Sequence, residues 1–182
     1  MNPWTNAAII LLLVMFSAFF SSTETAYSAA SKIRLKSYAD NGNKKAKKAY
    51  HISENYDKAL STILVGNNIV NIAASSLATL FFVSFFGEAT GTILSTVVLT
   101  IIVLIFGEVL PKNIAMENSE KMAMNSSSFL YVLMVILTPV TRYFSNLLKF
   151  DLTISFLVCI SISFNFLFLD INLGILVSES KS

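Results

Sequence analysis

Long apolar runs, separated by short polar punctuation, dominate this chain, and they recur at lengths suited to a lipid bilayer. A crossing helix needs roughly 20 mostly apolar residues. Residues 4–28 meet that need when the Ser/Thr/Ala end of the run is included, with Trp4 at the position favoured by interfacial aromatics. Residues 60–86 form a second run and residues 92–110 a third. Between these two lies Gly87-Glu88-Ala89-Thr90-Gly91, a tight connection without Lys or Arg. The third run is expected to stop at Pro111, because proline cannot donate to the helical ladder.

The remaining pattern is less regular. Residues 112–126 are polar and Met-rich and read as a juxtamembrane helix. Residues 129–150 are apolar but interrupted by Pro139 and Arg142, and are expected to lie along or dip into the inner face. Arg142 and Lys149 read as interface anchors. Residues 152–169 form an 18-residue apolar run that reaches the length threshold for a fourth span. The expected fold class is therefore an all-α membrane protein with three transmembrane helices, juxtamembrane helices and an extra C-terminal apolar helix. Two regions are expected: a transmembrane domain over 1–150 and an atypical apolar tail over 151–182.

Composition supports lipid burial. The 182 residues are 54% hydrophobic and only 13% charged, whereas a soluble domain carries about 25% charged residues. Mean hydropathy is +0.67. A net charge of +2 gives no argument for nucleic acid, but its distribution is informative. Lys32, Arg34, Lys36, Lys44, Lys45, Lys47, Lys48 and Lys58 all fall within residues 32–58, eight of the 13 basic residues. Asn41-Gly42-Asn43 is a turn signal that divides this segment into two short helices. Positive charge marks the cytoplasmic side, so the loop is expected inside and the N-terminus outside. Its simplest role is a topology signal that touches anionic lipid headgroups.

Single copies of Cys159 and His51 cannot form a disulfide or a soft-metal site. No basic flank and small-residue cleavage site mark the N-terminus, so a cleaved signal peptide is not expected. Gly-x-Ser-Gly, Gly-x-Gly-Asp and His-Glu-x-x-His are all missing from the sequence, so no enzyme is expected.

Polar clusters inside the apolar runs are the candidate chemistry: Ser21-Ser22-Thr23-Glu24, Gly66-Asn67-Asn68 with Asn71, and Gly107-Glu108-Val109-Leu110-Pro111-Lys112. Intramembrane carboxylates and amides are costly and usually mark an ion path or a buried partner. With alternating helix directions, Glu24, Asn67 and Glu108 all fall toward the inner leaflet. Asn67, Asn71 and Ser75 share one helix face. Pro111 lacks the N–H that would bond the Gly107 carbonyl, and Gly66 bares backbone beside two amides. Carboxylate, amide, hydroxyl and carbonyl are hard oxygen donors suited to Mg²⁺ or Ca²⁺. Each element also has a plain structural reading. Glu24 can snorkel to the interface. The Asn and Ser residues can be interhelical glue beside a small-residue packing face. Glu108 and Lys112 can be an ordinary i,i+4 ion pair.

At these residues the sequence resembles a known family. Phe19-Phe20-Ser21-Ser22-Thr23-Glu24-Thr25-Ala26, Val65-Gly66-Asn67-Asn68-Ile69-Val70-Asn71 and Phe106-Gly107-Glu108-Val109-Leu110-Pro111-Lys112 are similar to the three signatures of the CorC / cyclin M transmembrane domain. The resemblance covers about residues 5 to 150. It implies a homodimeric Mg²⁺ transporter of the plasma membrane (the inner membrane in bacteria), usually an exporter, driven by Na⁺ in bacterial members. Each subunit would have three membrane helices and a juxtamembrane belt. It also implies an ion held between helices by Ser17, Ser21, Thr23, Glu24, Asn67, Asn71, Gly107 and Glu108, supported by Gly66, Asn68, Ser75, Pro111 and Lys112.

Two departures from that family stand out. Ser22-Thr23 replaces a small residue followed by serine, which keeps the hydroxyl. After Phe150, apolar sequence stands where similar proteins continue into a cytosolic nucleotide-binding CBS module. No such module fits in 32 residues, so nucleotide control is expected to be absent and the chain to be a truncated or frame-disrupted product. The competing expectation is a membrane scaffold or divalent-ion sensor that does not transport.

Overall fold

A computed structural model describes residues 3–148, with side chains over 4–137. The chain divides into two units, Met1–Thr141 and Arg142–Ser182, and the first is the subject here. The 152–169 run and Cys159 lie outside the described residues.

All regular structure among the described residues is helical. α1 spans Pro3–Ala29, α2 Lys32–Asp40, α3 Lys44–Glu54 and α4 Tyr56–Phe86. α5 spans Glu88–Ile102 and passes into a π-helical turn, Val103–Val109, then α6, Leu110–Glu117, before α7, Ser119–Leu148. Trp4–Ala29, Tyr56–Phe86 and Glu88–Glu117 are each long and apolar enough to cross a membrane, the three spans expected. At most 28% of each apolar window is buried within the chain, so most of it faces outward. Leu11, Leu12, Met15, Ile72, Leu80, Ile101 and Phe106 are all exposed. That is the surface a lipid-facing bundle needs, since hydrocarbon takes the place of a second protein layer.

The basic segment folds as the turn signal implied. Ser31 caps α2 by accepting from the Arg34 N–H, and Asn43 caps α3 by accepting from the Lys45 and Ala46 N–H groups. Gly42 between them has φ 86°, a left-handed conformation that glycine adopts without a Cβ clash. A second left-handed glycine, Gly87 at φ 80°, makes the α4–α5 turn by itself, so helix resumes at Glu88 and not after Gly91.

Three expectations are corrected. The third span does not stop at Pro111. Pro111 lies in the first turn of α6, where a missing N–H costs little. The chain reaches it through the wider π turn, in which the Leu110 N–H bonds the Ile105 carbonyl five residues back. Helix therefore continues to Glu117. Residues 112–126 are not one helix either: the backbone breaks at Asn118, φ −129° and ψ 46°, between α6 and α7. The apolar stretch from 129 is no separate element, because α7 runs unbroken past Pro139 to Leu148. One lost ladder bond does not end a helix of 30 residues.

α1 is the hub, packing on α4, the π turn and α6, while α4 packs on α5. The larger core joins Phe20, Ala26 and Tyr27 of α1 with Leu35, Ala49 and Ile52 of the basic helices, Ala59 and Ile63 of α4, and Ala115, Ala123 and Leu130 beyond. The α2–α3 hairpin is thus no free loop. It clamps the first half of α7: Arg34 pairs with Glu120 at 3.2 Å, Lys45 Nζ donates to Asn125 Oδ1 at 3.3 Å, and Lys48 Nζ to Ser128 Oγ at 3.3 Å. Tyr27 Oη donates to the Ala123 carbonyl at 3.0 Å, tying α1 to the same helix.

Candidate functional site

Asn67 and Gly107, from two of the polar clusters, meet Ser17 where α1 crosses α4 and the π turn. Ser17 Oγ donates to Asn67 Oδ1 at 3.2 Å, joining α1 to α4. Gly107 is buried against the same serine: a Cβ there would lie 3.2 Å from Ser17 Oγ and 3.4 Å from Val103 Cγ1. Hydroxyl, amide and backbone from three segments therefore gather around Ser17. Beside Asn67, Gly66 lets α4 approach Phe20, one turn along α1 from Ser17; a Cβ at Gly66 would lie 2.5 Å from the ring. Small residues set this approach, and the hydroxyl then falls within reach of the amide.

Two buried oxygens bracket this contact without a partner of their own. Asn71 Oδ1 lies one turn beyond Asn67 along α4, and Thr23 Oγ1 lies six residues, about 9 Å, beyond Ser17 along α1. An unsatisfied buried polar atom costs about 1–3 kcal/mol, so such atoms are few and each calls for a water, an ion or another partner. Ser21 and Ser22 are buried on α1 beside them. Ser22 Oγ spends its proton on the Phe19 carbonyl of its own helix.

The carboxylates stand apart from this cluster. Glu24 lies seven residues beyond Ser17, about 10 Å along α1, so Ser17 is the level that faces Asn67. Glu24 is half-buried and makes no ion pair or side-chain hydrogen bond with the described residues. Glu108 adjoins Gly107 in sequence, yet its Oε1 accepts from Lys112 Nζ at 2.7 Å, with 47% of the Glu108 side chain exposed. Among the described residues no three His, Cys, Asp or Glu side chains come together. The donors that do converge are neutral oxygens, a set suited to hard cations and poorly suited to soft ones. Asn68 and Ser75 are half-buried on α4, and Pro111 and Lys112 begin α6.

A second polar level escaped the sequence reading. Thr79 Oγ1 and Ser95 Oγ approach to 3.3 Å between α4 and α5, and Asn6 Oδ1 is buried without a partner near the N-terminal end of α1. Hydroxyls and one amide scattered through apolar runs give no cluster along the chain, so only packing relates them. Ala74, Ala78 and Leu99, with Ile10, Leu13 and Val103 against them, form a separate apolar cluster.

Residues 8–155 match the family described as the cyclin M transmembrane N-terminal domain. A "UPF0053 protein" from Haemophilus influenzae is 40% identical over 138 residues, 75% of this chain and 33% of the relative. The "UPF0053 inner membrane protein YfjD" of Escherichia coli K12 is 42% identical over 123 residues, 68% of this chain and 28% of the relative. A "Polyamine export protein" of the same strain is 39% identical over 64 residues, 35% of this chain and 14% of that protein. The chain thus spans about a third of the length of the first two curated relatives. With three apolar helices of crossing length and a family match over most of its residues, this chain is an integral membrane protein and belongs to the cyclin M transmembrane domain family.

Proposed function

We propose that the chain is the ion-carrying part of a Mg²⁺ exporter of the bacterial inner membrane, driven by Na⁺ and working as a homodimer. The observation that carries this reading is the Ser17–Asn67 contact against Gly107, with the unpartnered Asn71 Oδ1 one turn away. Ser17, Asn67, Asn71 and the Gly107 carbonyl replace part of the hydration shell of the ion. Mg²⁺ sheds water reluctantly and keeps several waters in most sites, so a small set of neutral donors with one carboxylate suffices for binding. Charge comes from Glu108, which exchanges Lys112 for the arriving cation. Ser21, Thr23 and Glu24 line the inner approach. The N-terminus lies outside and residues 32–58 inside, by their excess of Lys and Arg.

A second cargo, an organic polycation, is favoured by one relative's name as a polyamine export protein. Reconstitution in liposomes, with internal Mg²⁺ followed with and without a Na⁺ gradient, separates the readings. Asn67→Ala and Glu108→Gln should each lower Mg²⁺ flux about tenfold or more, equivalent to ~1.4 kcal/mol. Ser84→Ala, far out on α4, should leave it unchanged. Flux insensitive to both site variants removes the assignment. Spermidine flux without Mg²⁺ flux selects the polycation. Mg²⁺ that protects the chain from heat without crossing selects a sensor or scaffold.

A further inference from the structure

A cleft of ≈ 180 Å³ opens between the basic hairpin, the start of α4 and α7, lined by His51, Asn55, Lys58, Tyr131, Met134 and Val135. Its lining is split by chemistry. His51 near the end of α3, Asn55 in the link to α4 and Lys58 in the first turn of α4 supply donors at one side. Met134 and Val135 of α7 form the opposite, apolar wall. Tyr131 stands between them, its ring 6.3 Å from that of His51. The Asn55 amide is held in place by its hydrogen bond to the His51 carbonyl at 3.1 Å.

We propose that this cleft holds the phosphodiester headgroup of an anionic phospholipid, with an acyl chain running over Met134 and Val135. The neighbouring surface argues for a lipid over a soluble anion. Val132, Val135 and Ile136 of α7 are 54%, 58% and 61% exposed, so the apolar wall continues out of the cleft. The cationic wall stands where a 31-residue apolar helix begins, at the depth of a headgroup layer. Lys44, Lys45, Lys47 and Lys48 of α3 add positive charge close by, which draws anionic lipid toward the mouth. Tyr131 has the apolar body and polar tip of an interfacial aromatic. An ordered lipid here bridges α3, α4 and α7. The proposal rests on the chain's place in a membrane and is independent of which cargo it carries.

The test is native mass spectrometry and thermal unfolding of the full chain in detergent, with phosphatidylglycerol or phosphatidylcholine added. Phosphatidylglycerol should be retained and should raise the unfolding midpoint, and phosphatidylcholine should do neither to the same degree. Lys58→Gln and His51→Gln together should cut retention about fivefold or more, the equivalent of ~1 kcal/mol for one cation beside an anionic surface. Val135→Ser should weaken retention without altering charge. Lys32→Gln with Lys36→Gln, on α2 and outside the cleft lining, should leave it nearly intact. Equal losses from the two charge pairs would mean diffuse attraction and overturn the site. Equal protection by inorganic phosphate or glycerol phosphate would make the occupant a soluble anion and overturn the lipid. These readouts need no flux, so failure here leaves the transport reading standing, and the reverse also holds.

Discussion

At the residue scale the site depends on close approach. Gly66 and Phe20 fit because one residue has no side chain and the other, 4% exposed, has nowhere else to go. Gly66→Ala should therefore destabilise by ~1–3 kcal/mol, the range for overpacking a filled interior. Adding Phe20→Leu should recover part of that loss, since the clash is with the ring and not with backbone. Unfolding of the two single variants and the double variant in detergent measures the coupling; strictly additive effects would refute the contact. The motif itself was legible along the chain, because amides in an apolar run are conspicuous. Its pairing was not. Ser17 lies four residues before the Ser-Ser-Thr-Glu cluster, amid Phe and Met, and nothing local marks it as the residue that faces Asn67.

At the element scale two junctions decide the bundle. Gly91 packs on the α4 backbone, where a Cβ would lie 2.6 Å from Val83 Cα and 2.7 Å from Val83 N. Backbone cannot swing aside as a ring can. Gly91→Ala should thus cost more than Gly66→Ala, and no single compensating change should rescue it. The same unfolding measurement ranks the two. At the other junction, Glu120 begins α7 and meets Arg34 of α2. Its own backbone N–H at the helix start, the Ser31 backbone, the Arg34 charge and the Ser119 hydroxyl hold its carboxyl below the ordinary 4.5, against the opposing pull of desolvation. A depressed folded value means the group stabilises docking above the unfolded pKa and loses that effect as pH falls through the folded one. Glu120→Gln should therefore lower the unfolding midpoint at neutral pH, and the gap from wild type should close on acidification below 4.5. A gap that widens in acid would contradict the assignment. The α5–α6 passage was misread from sequence for a physical reason. Proline by itself signals a stop, yet a π turn just before it offsets the register and lets helix resume with Pro111 in its first turn.

At the scale of the whole molecule, the proposed orientation rests on charge placement, and labelling tests it. A Lys47→Cys variant in a Cys159→Ala background should react with an impermeant thiol reagent only from the cytoplasmic side. A Glu88→Cys variant should react only from the outer side. The opposite pattern would invert the topology and move the Ser17–Asn67 level to the other leaflet. The hairpin's place in the molecule is a tertiary matter. Eight cations in 27 residues announced a surface segment, but four buried apolar positions, Leu35, Ala46, Ala49 and Ile52, dock it on α1 and α7. Those positions are sparse and shared with polar neighbours, so their periodicity is weak until the partner helices supply the other face.

Run length, charge placement and turn glycines determined the three spans and the basic hairpin, because hydropathy and backbone freedom act locally and survive without packing; the three polar motifs carried the family resemblance. Which oxygens meet was decided only in three dimensions. Helix crossings bring together residues fifty positions apart, as with Ser17 and Asn67, while leaving Glu24 two turns away and Glu108 engaged with Lys112. Small residues permit that crossing; the depth at which the helices touch selects the donors.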